Sequence, residues 1–339
     1  GGLMHANIGS SAIFAASSGS SVATAATVGT VAYPEIQKHN YNESLFLGSL
    51  AAGGTLGILV PPSINLIIYG LLTDTSVPEL YLAGIFPGIT LAILFMGVIA
   101  FTCLARPAWG GDKVQTDWAE RIRVLPDLLP PVLLFVAVVG SIYAGIATPT
   151  EAASIGVVFA LIIAAWNRSL SVDMLKATFE GTMRSTAMIM LIILAAVFLN
   201  FVLGFMGVTQ AILEAIKELG WTPTETMIVI ILFYLLLGMF METLSMMLTT
   251  IPVVFPIVVH MGFDPVWFGI MITVLMEAAL ITPPIGINLY VVHGIRERGG
   301  KFNDVSVGAL PFLVAMFVMI AVLMVTPDIA TWLPNAVYH

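Results

Sequence analysis

Charged residues are scarce in this sequence, and their scarcity excludes the commonest class of protein. Asp, Glu, Lys and Arg make up 9% of its 339 residues, whereas 59% are hydrophobic. A soluble domain carries about 25% charged residues, so this chain cannot cover its own surface in water. Because its long apolar runs do not alternate with polar residues, the sequence predicts an all-α integral membrane protein rather than a β-barrel. The runs of bilayer-spanning length are residues 80–104, 130–146, 188–206 and 309–325.

The motifs of enzymes and of metal or disulfide frameworks are also missing. Cys103 is the one cysteine, so it has no second thiol in the chain with which to pair. The sequence contains no His-Glu-x-x-His pair and no phosphate-binding loop, so we expect neither enzymatic activity nor ATP hydrolysis. A net charge of −8 argues against nucleic acid as a partner. The energy for any transport must then come from an ion gradient or from a partner protein.

Basic residues predict which helix ends face the cytoplasm. Loops at residues 106–127 and 168–184 carry several of them, whereas the turn at 147–150 carries none, so the two loops are predicted to lie inside and the turn outside. Residues 209–219 mix apolar and charged positions at helical spacing, which is typical of a helix lying flat at the membrane interface. The basic residues predicted to be cytoplasmic are Lys38, Arg106, Lys113, Arg121, Arg123, Arg168, Lys176, Arg184, Arg296, Arg298 and Lys301.

Two short polar segments interrupt apolar stretches. The first is residues 17–21 (SSGSS), and the second is residues 241–245 (METLS). Each is predicted to be the tip of a re-entrant helical hairpin, whose two apolar arms enter the membrane and return. A helix containing a double proline follows each hairpin, at Pro61-Pro62 and at Pro283-Pro284. Proline removes a backbone donor and clashes with the preceding turn, so both helices are predicted to be broken there.

The two hairpin-and-break units repeat at an offset of 222 residues, which aligns three prolines of each. By the charge pattern their broken helices cross the membrane in opposite directions, as in the inverted repeats of many secondary transporters. The aligned prolines are Pro34, Pro61 and Pro62 in the first unit and Pro256, Pro283 and Pro284 in the second. The predicted domains are a first hairpin and broken helix (1–75), scaffold helices (76–222), a second hairpin and broken helix (223–300), and a C-terminal transmembrane helix (301–339).

The tips and breaks carry the groups that a transport site needs. A broken helix frees carbonyls that can ligate Na⁺, and helix N-termini favour an anionic substrate. Hydroxyls add hard oxygen ligands, and a carboxylate inside the membrane usually has a function or a partner. The predicted Na⁺ ligands are Ser18, Ser21, Gly54 and Thr55 at the first hairpin, and Thr243, Ser245, Glu277 and Thr282 at the second. The predicted substrate-binding residues are Ser18, Gly19, Ser20, Ser21, Asn65, Glu242 and Asn288.

Each of these features has a structural alternative. Small and hydroxyl residues also line ordinary helix–helix contacts, where they let backbones approach closely. A double proline can simply kink a span, and Asn65 and Asn288 can serve as interhelical hydrogen-bonding groups. Glu242 or Glu277 can be protonated or can face water. Arg and Lys are absent from the tips and breaks, which excludes a guanidinium clamp for the substrate from these segments.

Four motifs of the chain resemble those of one transporter family. They are residues 1–8 (GGLMHANI), 18–23 (SGSSVA), 57–64 (GILVPPSI) and 276–290 (MEAALITPPIGINLY). Over its whole length the chain resembles the large membrane (M) subunit of tripartite ATP-independent periplasmic (TRAP) transporters. The resemblance implies Na⁺-driven import of an organic anion, such as a C4-dicarboxylate or sialic acid, across the bacterial inner membrane. It also implies a periplasmic substrate-binding protein (P subunit), a small four-helix membrane (Q) subunit and an elevator motion.

One position departs from the family pattern. The family often has Asp where this chain has Thr24, so a carboxylate ligand at that position is lost or replaced. Two other classes remain open: a divalent-anion/Na⁺ symporter that acts without a binding protein, and an ion channel. The repeat also leads us to expect about 90 residues of scaffold helices before residue 1, by symmetry with those that precede the second hairpin.

Overall fold

The computed structural model describes residues 1–112, 123–296 and 299–338. Three basic residues used to predict orientation, Lys113, Arg121 and Arg298, lie outside these described residues. Within the described part the regular structure is helical and contains no extended strand. An isolated bridge pairs Tyr41 with Gly110.

The α-helices of the described part are numbered here in chain order. The first unit contains α1 (Gly2–Ser18), α2 (Ser21–Ala32), α3 (Glu35–Lys38), α4 (Glu43–Leu59), α5 (Ile64–Thr73) and α6 (Val77–Ala105). The middle of the chain contains α7 (Leu129–Tyr143), α8 (Pro149–Trp166), α9 (Val172–Phe205) and α10 (Val208–Leu219). The second unit contains α11 (Pro223–Gly238), α12 (Thr243–His260), α13 (Pro265–Leu280), α14 (Ile287–Gly294), α15 (Phe302–Val325) and α16 (Asp328–Tyr338). Two 3₁₀ turns, Pro107–Trp109 and Leu125–Leu128, lie between α6 and α7.

Six helices of the described part are long and apolar enough to cross a membrane. They are α6, α7 with the 3₁₀ turn before it, α8, α9, α12 and α15. The pair α4–α5, bent by 42°, would be a seventh span if it crosses as one unit. The four apolar runs of the sequence fall on α6, α7, α9 and α15. The prediction of an all-α membrane protein is therefore confirmed.

Helix α9 begins earlier than the sequence indicates. Ser171 caps its N-terminus by accepting a hydrogen bond from the Met174 amide (3.1 Å), and the helix starts at Val172. Lys176 and Arg184 therefore lie within α9, and their assignment to a loop at residues 168–184 was wrong. An apolar run marks only the part of a helix inside the bilayer, whereas a serine cap starts a polar turn that extends beyond it.

The two polar tips lie between paired helices, as the sequence predicts. Helices α1 and α2 pack together and are joined by Gly19 and Ser20, and α11 and α12 are joined by residues 239–242. Gly19 ends α1 with φ of 59°, a left-handed conformation that glycine adopts without steric cost. The side chains of Ser20 and Glu242 cap the second arm of their hairpins. Each tip therefore places a polar side chain at a helix N-terminus.

Both double prolines lie in breaks between helices. Helix α4 ends at Leu59 and α5 begins at Ile64, while α13 ends at Leu280 and α14 begins at Ile287. The Pro61-Pro62 and Pro283-Pro284 peptide bonds are both cis. Each hairpin contacts the broken helix of the other unit: α2 packs against α14, and α12 packs against α5.

The helix bounds of the two units correspond at the same offset as their prolines. Adding 222 to the bounds of α1, α4 and α6 gives 224–240, 265–281 and 299–327. The observed helices α11, α13 and α15 span 223–238, 265–280 and 302–325. The order and length of the helices therefore repeat, although the sequence between the prolines has diverged. The opposite direction of the two units stays a prediction.

Burial separates a central group of helices from an outer group. From Leu45 to Leu59, every residue of α4 is buried, and α13 is buried from Trp267 to Leu280. In contrast, α8 and α9 each bury a single residue, Ala152 and Ala196. Their exposed apolar faces suit contact with lipid.

The C-terminal part of the chain is more elaborate than the sequence analysis anticipates. Residues 301–339 were predicted to form one transmembrane helix, and α15 supplies it. A second, short helix, α16, packs against α6, with the Phe86 and Trp332 rings 5.6 Å apart.

The amphipathic segment 209–219 forms α10 between Gly207 and Gly220, which both have positive φ. It packs against α9 and α12.

Candidate functional site

The first tip is a compact network of hydroxyls. Ser18 Oγ lies 2.8 Å from Thr24 Oγ1, and Thr24 Oγ1 donates to the Ser20 carbonyl, also at 2.8 Å. The tip also lies against the first break, since a Cβ added to Gly19 would stand 2.6 Å from the Pro62 carbonyl oxygen. The backbone of the tip is therefore held by its own side chains on one side and by the break on the other.

The second tip carries a carboxylate where the first carries a hydroxyl. Glu242 caps α12, and its Oε2 accepts hydrogen bonds from the Ser245 amide (3.0 Å) and hydroxyl (3.4 Å). Its Oε1 accepts from the Thr243 hydroxyl at 3.1 Å. A negative side chain at this position is favoured by the unpaired amides and the dipole of the helix N-terminus. The cap therefore uses Glu242 oxygens that the sequence assigns to the substrate.

One cavity brings the two tips and the two breaks together. It has about 390 Å³ of empty space, part of it open to solvent. As a cavity volume it measures about 70 Å³, which is well below the roughly 300–1,000 Å³ of typical small-molecule sites. Among the described residues, those lining the cavity include no Arg or Lys, which agrees with the exclusion of a guanidinium clamp. Its lining residues are Gly19, Ser20, Ser21, Val22, Ile58, Ile64, Asn65, Glu242, Thr243, Leu244, Leu280 and Ile287.

Glu277 is a buried carboxylate that joins the two halves. It lies in α13 with 1% of its surface exposed, and its Oε2 accepts a 2.6 Å hydrogen bond from the Ser21 hydroxyl. Its Oε1 is buried and has no hydrogen-bond partner among the described residues. A buried acceptor left without a donor is costly, and more so if it is charged. Glu277 therefore has one oxygen that could take up a cation or a proton.

The two break asparagines are both buried and incompletely paired. Asn288 donates through Nδ2 to the Ala51 carbonyl of α4 at 3.4 Å, while its Oδ1 has no partner among the described residues. Asn65 lines the cavity, and within the same described part its Nδ2 has no acceptor. The first break thus offers a spare donor and the second a spare acceptor.

The remaining predicted ligands lie beside the cavity rather than on its wall. Thr55 and Thr282 donate their hydroxyls to carbonyls of their own helices, Ala52 (2.6 Å) and Ala278 (2.7 Å). Gly54 packs behind the first tip, where an added Cβ would stand 3.0 Å from the Ser21 carbonyl oxygen. Ser18, Ser245, Glu277 and Asn288 are likewise outside the lining set. The first tip and Gly54 are therefore close together, whereas the hydroxyls of Thr55 and Thr282 are directed along their own helices.

Sequence reasoning missed a second buried polar contact. Asn7 of α1 donates to the Ser49 hydroxyl of α4 at 3.2 Å, and Ser11 is fully buried one turn further along α1. Both α1 residues interrupt an apolar run at helical spacing, and that signal was available in the sequence. Their place against Gly53 of α4 identifies them as part of the contact that holds the hairpin to the broken helix.

Broken helices, paired hairpins and a cavity with several polar groups inside an apolar helical bundle are together typical of a membrane transporter subunit. Residues 1–329 match the family model described as "Tripartite ATP-independent periplasmic transporter, DctM component". The chain belongs to this family, and it is a TRAP transporter large permease subunit.

Curated relatives agree over nearly the whole chain. The C4-dicarboxylate TRAP transporter large permease protein DctM of Vibrio cholerae is 33% identical over 99% of this chain and 78% of its own length. The ectoine TRAP transporter large permease protein TeaC of Halomonas elongata is 32% identical over 100% of this chain and 79% of its own length. The sialic acid TRAP transporter large permease protein SiaM of Vibrio cholerae is 30% identical over 99% and 78%. All three relatives are named as permeases, in agreement with the expectation of a non-enzymatic protein.

Proposed function

We propose that this chain is the translocating subunit of a Na⁺-coupled importer of an organic anion in the bacterial inner membrane. A periplasmic binding protein delivers the substrate, and a small membrane subunit completes the transporter. The two hairpin-and-break units form an inverted repeat, and they move together against the outer helices in an elevator motion. The close packing of α4, α13 and both hairpins, beside the sparsely buried α8 and α9, supports this division.

The observation that carries the proposal is the environment of Glu277. One of its carboxylate oxygens is bonded to the Ser21 hydroxyl, and the other is buried without a donor. A carboxylate near the centre of a bilayer costs about 2.5–3.5 kcal/mol on insertion scales, so it needs a compensating partner. Na⁺ is a suitable partner, because the Glu277 carboxylate and the Ser21 hydroxyl beside it are both hard oxygen donors. When bound, it would neutralise the carboxylate and link the second half to the first tip.

The substrate is proposed to lie in the cavity between the tips. Ser20 and the spare Nδ2 of Asn65 supply neutral hydrogen-bond donors for a carboxylate, without a basic side chain, whereas the Ser21 hydroxyl is already bonded to Glu277. Glu242 on the opposite wall accepts hydrogen bonds from hydroxyl or ammonium groups. Small organic acids carry the groups that these donors and acceptors would bind, and the C4-dicarboxylate, sialic acid and ectoine named for relatives are the first candidates.

The ion gradient is sufficient as an energy source. Two Na⁺ entering at a membrane potential of 100 mV supply about 4.6 kcal/mol before any concentration gradient is counted. An organic anion with one negative charge reduces the net charge moved to +1, so the potential then supplies about 2.3 kcal/mol, which corresponds to roughly fortyfold accumulation.

Reconstitution tests this function directly. The transporter, with its small subunit, is placed in proteoliposomes, and uptake of a labelled organic acid is measured with and without the binding protein. We expect uptake that needs both the binding protein and Na⁺, and that stops when choline replaces Na⁺. Uptake without the binding protein would favour the symporter alternative, and flux without accumulation would favour a channel. Uptake unchanged in choline would refute Na⁺ coupling.

A further inference from the structure

We propose that Arg296 is a positioning residue for transport: it fixes the short helix α14, and thereby Asn288, against the first half of the molecule. The inference rests on the proposed function for its transport readout. Arg296 follows α14 by two residues, and Asn288 lies in the first turn of the same helix. Both ends of α14 are therefore tied to α4, one by Asn288 and the other by Arg296.

The guanidinium of Arg296 joins three helices. Its side chain is 3% exposed, and its Nη2 donates to Glu43 Oε1, in the first turn of α4, at 2.7 Å. Both Nη atoms lie 3.3 Å from Asp304 Oδ2, in the first turn of α15, and Nη1 donates to the Lys301 carbonyl at 3.0 Å. Each carboxylate also lies at a helix N-terminus, which favours its charge. Arg296 thus links the N-terminal ends of α4 and α15 to the C-terminal end of α14.

The backbone around this contact leaves little room for rearrangement. A Cβ on Gly300 would overlap the Arg296 guanidinium, so the loop is shaped to the arginine. About one helical turn further along α4 and α15, the two helices are in backbone contact, because a Cβ on Gly48 would overlap the Gly308 carbonyl. Helices α4 and α15 therefore form a fixed base, and Arg296 attaches the end of α14 to that base.

Removal of Arg296 should act on the site through α14. This helix has eight residues and is about 12 Å long, so a tilt at one end moves the other. Without the arginine, Glu43 and Asp304 repel each other, while α14 keeps its packing and the 3.4 Å contact from Asn288 to the Ala51 carbonyl. We expect Asn288 to lose its fixed position while the central helices stay folded.

Transport kinetics and hydrogen exchange test the inference together. In the reconstituted transporter, Arg296→Ala should raise the apparent KM for substrate about tenfold. Displacement of the first turn of α14 would move Ile287, which lines the cavity between the tips, and so weaken substrate binding. Arg296→Lys should restore part of the loss, and Glu43→Gln should show a smaller rise. Lys176→Ala, which removes an exposed cation from α9, is the matched control and should resemble wild type.

The link through Asn288 has its own readout. If Arg296 acts by positioning Asn288, the effects of Arg296→Ala and Asn288→Ala should be strongly non-additive in a double-mutant cycle. Additive effects, or a wild-type KM in Arg296→Ala, would overturn the inference. Backbone amides of α14 should also exchange faster in Arg296→Ala than in Lys176→Ala. The exchange measurement does not depend on transport. An inactive wild type would therefore refute the proposed function but would leave the role of Arg296 to be decided by exchange. Unchanged exchange in α14 of Arg296→Ala would refute that role.

Discussion

The two halves of this molecule share their helix framework but not their chemistry. At the offset of 222 residues, Ser20 of the first tip corresponds to Glu242 of the second, and Thr55 of α4 corresponds to Glu277 of α13. The first half thus places hydroxyls where the second places carboxylates. The comparison teaches that a repeated fold can supply two different environments, one with neutral hydroxyls and one with carboxylates.

The hydrogen bond between Ser21 and Glu277 connects the hydroxyls of the first half to a carboxylate of the second half. A hydroxyl of the first tip donates to a carboxylate of the second half at 2.6 Å, inside a bundle held together by apolar packing. A cation bound at Glu277 would therefore change the charge next to the tip that is proposed to hold the substrate. The two halves are predicted to differ in their response to the same kind of substitution.

The largest difference is expected between Glu277 and its counterpart Thr55. Glu277→Gln should lower Na⁺-driven uptake about a hundredfold or more, because the amide keeps the size of the side chain but cannot neutralise a bound cation. Thr55→Val should cost about tenfold or less, since the Thr55 hydroxyl is bonded within its own helix. Uptake by reconstituted protein, normalised to folded transporter, measures both.

The control for this pair is Glu180→Gln, which neutralises an exposed carboxylate on α9. It should leave uptake unchanged. Equal losses in Glu277→Gln and Thr55→Val would contradict the asymmetry of the two halves. If Glu277→Gln transports at close to the wild-type rate, the Glu277 carboxylate has no role in ion coupling.

The next largest effect is expected at the first tip. Ser20→Trp should reduce uptake about tenfold to a hundredfold, because a large ring at the N-cap of α2 fills the cavity between the tips. Ala23→Trp, three residues further along the same helix, adds the same ring at an exposed position and should transport normally. Normal substrate kinetics in Ser20→Trp would show that the substrate binds elsewhere.

The sequence located those features that depend on the local backbone. Proline pairs marked both breaks, because proline fixes φ and removes a backbone donor wherever it occurs. The segments 17–21 and 241–245 marked both tips, because they place polar residues within apolar runs. The hydrogen bond between Ser21 and Glu277 could not be predicted, because the two residues are 256 positions apart and a single sequence does not indicate their contact. The directions of the Thr55 and Thr282 hydroxyls also depend on helix rotation, which the position of a break does not fix.

The smallest effect concerns the stability of the tip. Gly19→Ala should lower stability by about 1–2 kcal/mol, because alanine is strained in the left-handed conformation at φ of 59°. Its Cβ would also lie 2.6 Å from the Pro62 carbonyl oxygen. Gly97→Ala in α6, where an added Cβ meets nothing within 4 Å, should be neutral or slightly stabilising. Thermal unfolding in detergent compares the two, and equal melting temperatures would show that the tip does not need its glycine.

Direct Na⁺ binding tests the central claim, that a carboxylate of the second half holds a coupling cation next to the first tip. Binding of radioactive Na⁺ to the purified transporter is measured in wild type, Glu277→Gln and Glu180→Gln. We predict that Glu277→Gln binds one Na⁺ fewer per chain than wild type, while Glu180→Gln binds the same number. If Glu277→Gln binds as many Na⁺ as wild type with unchanged affinity, the carboxylate does not hold the cation and the account is contradicted.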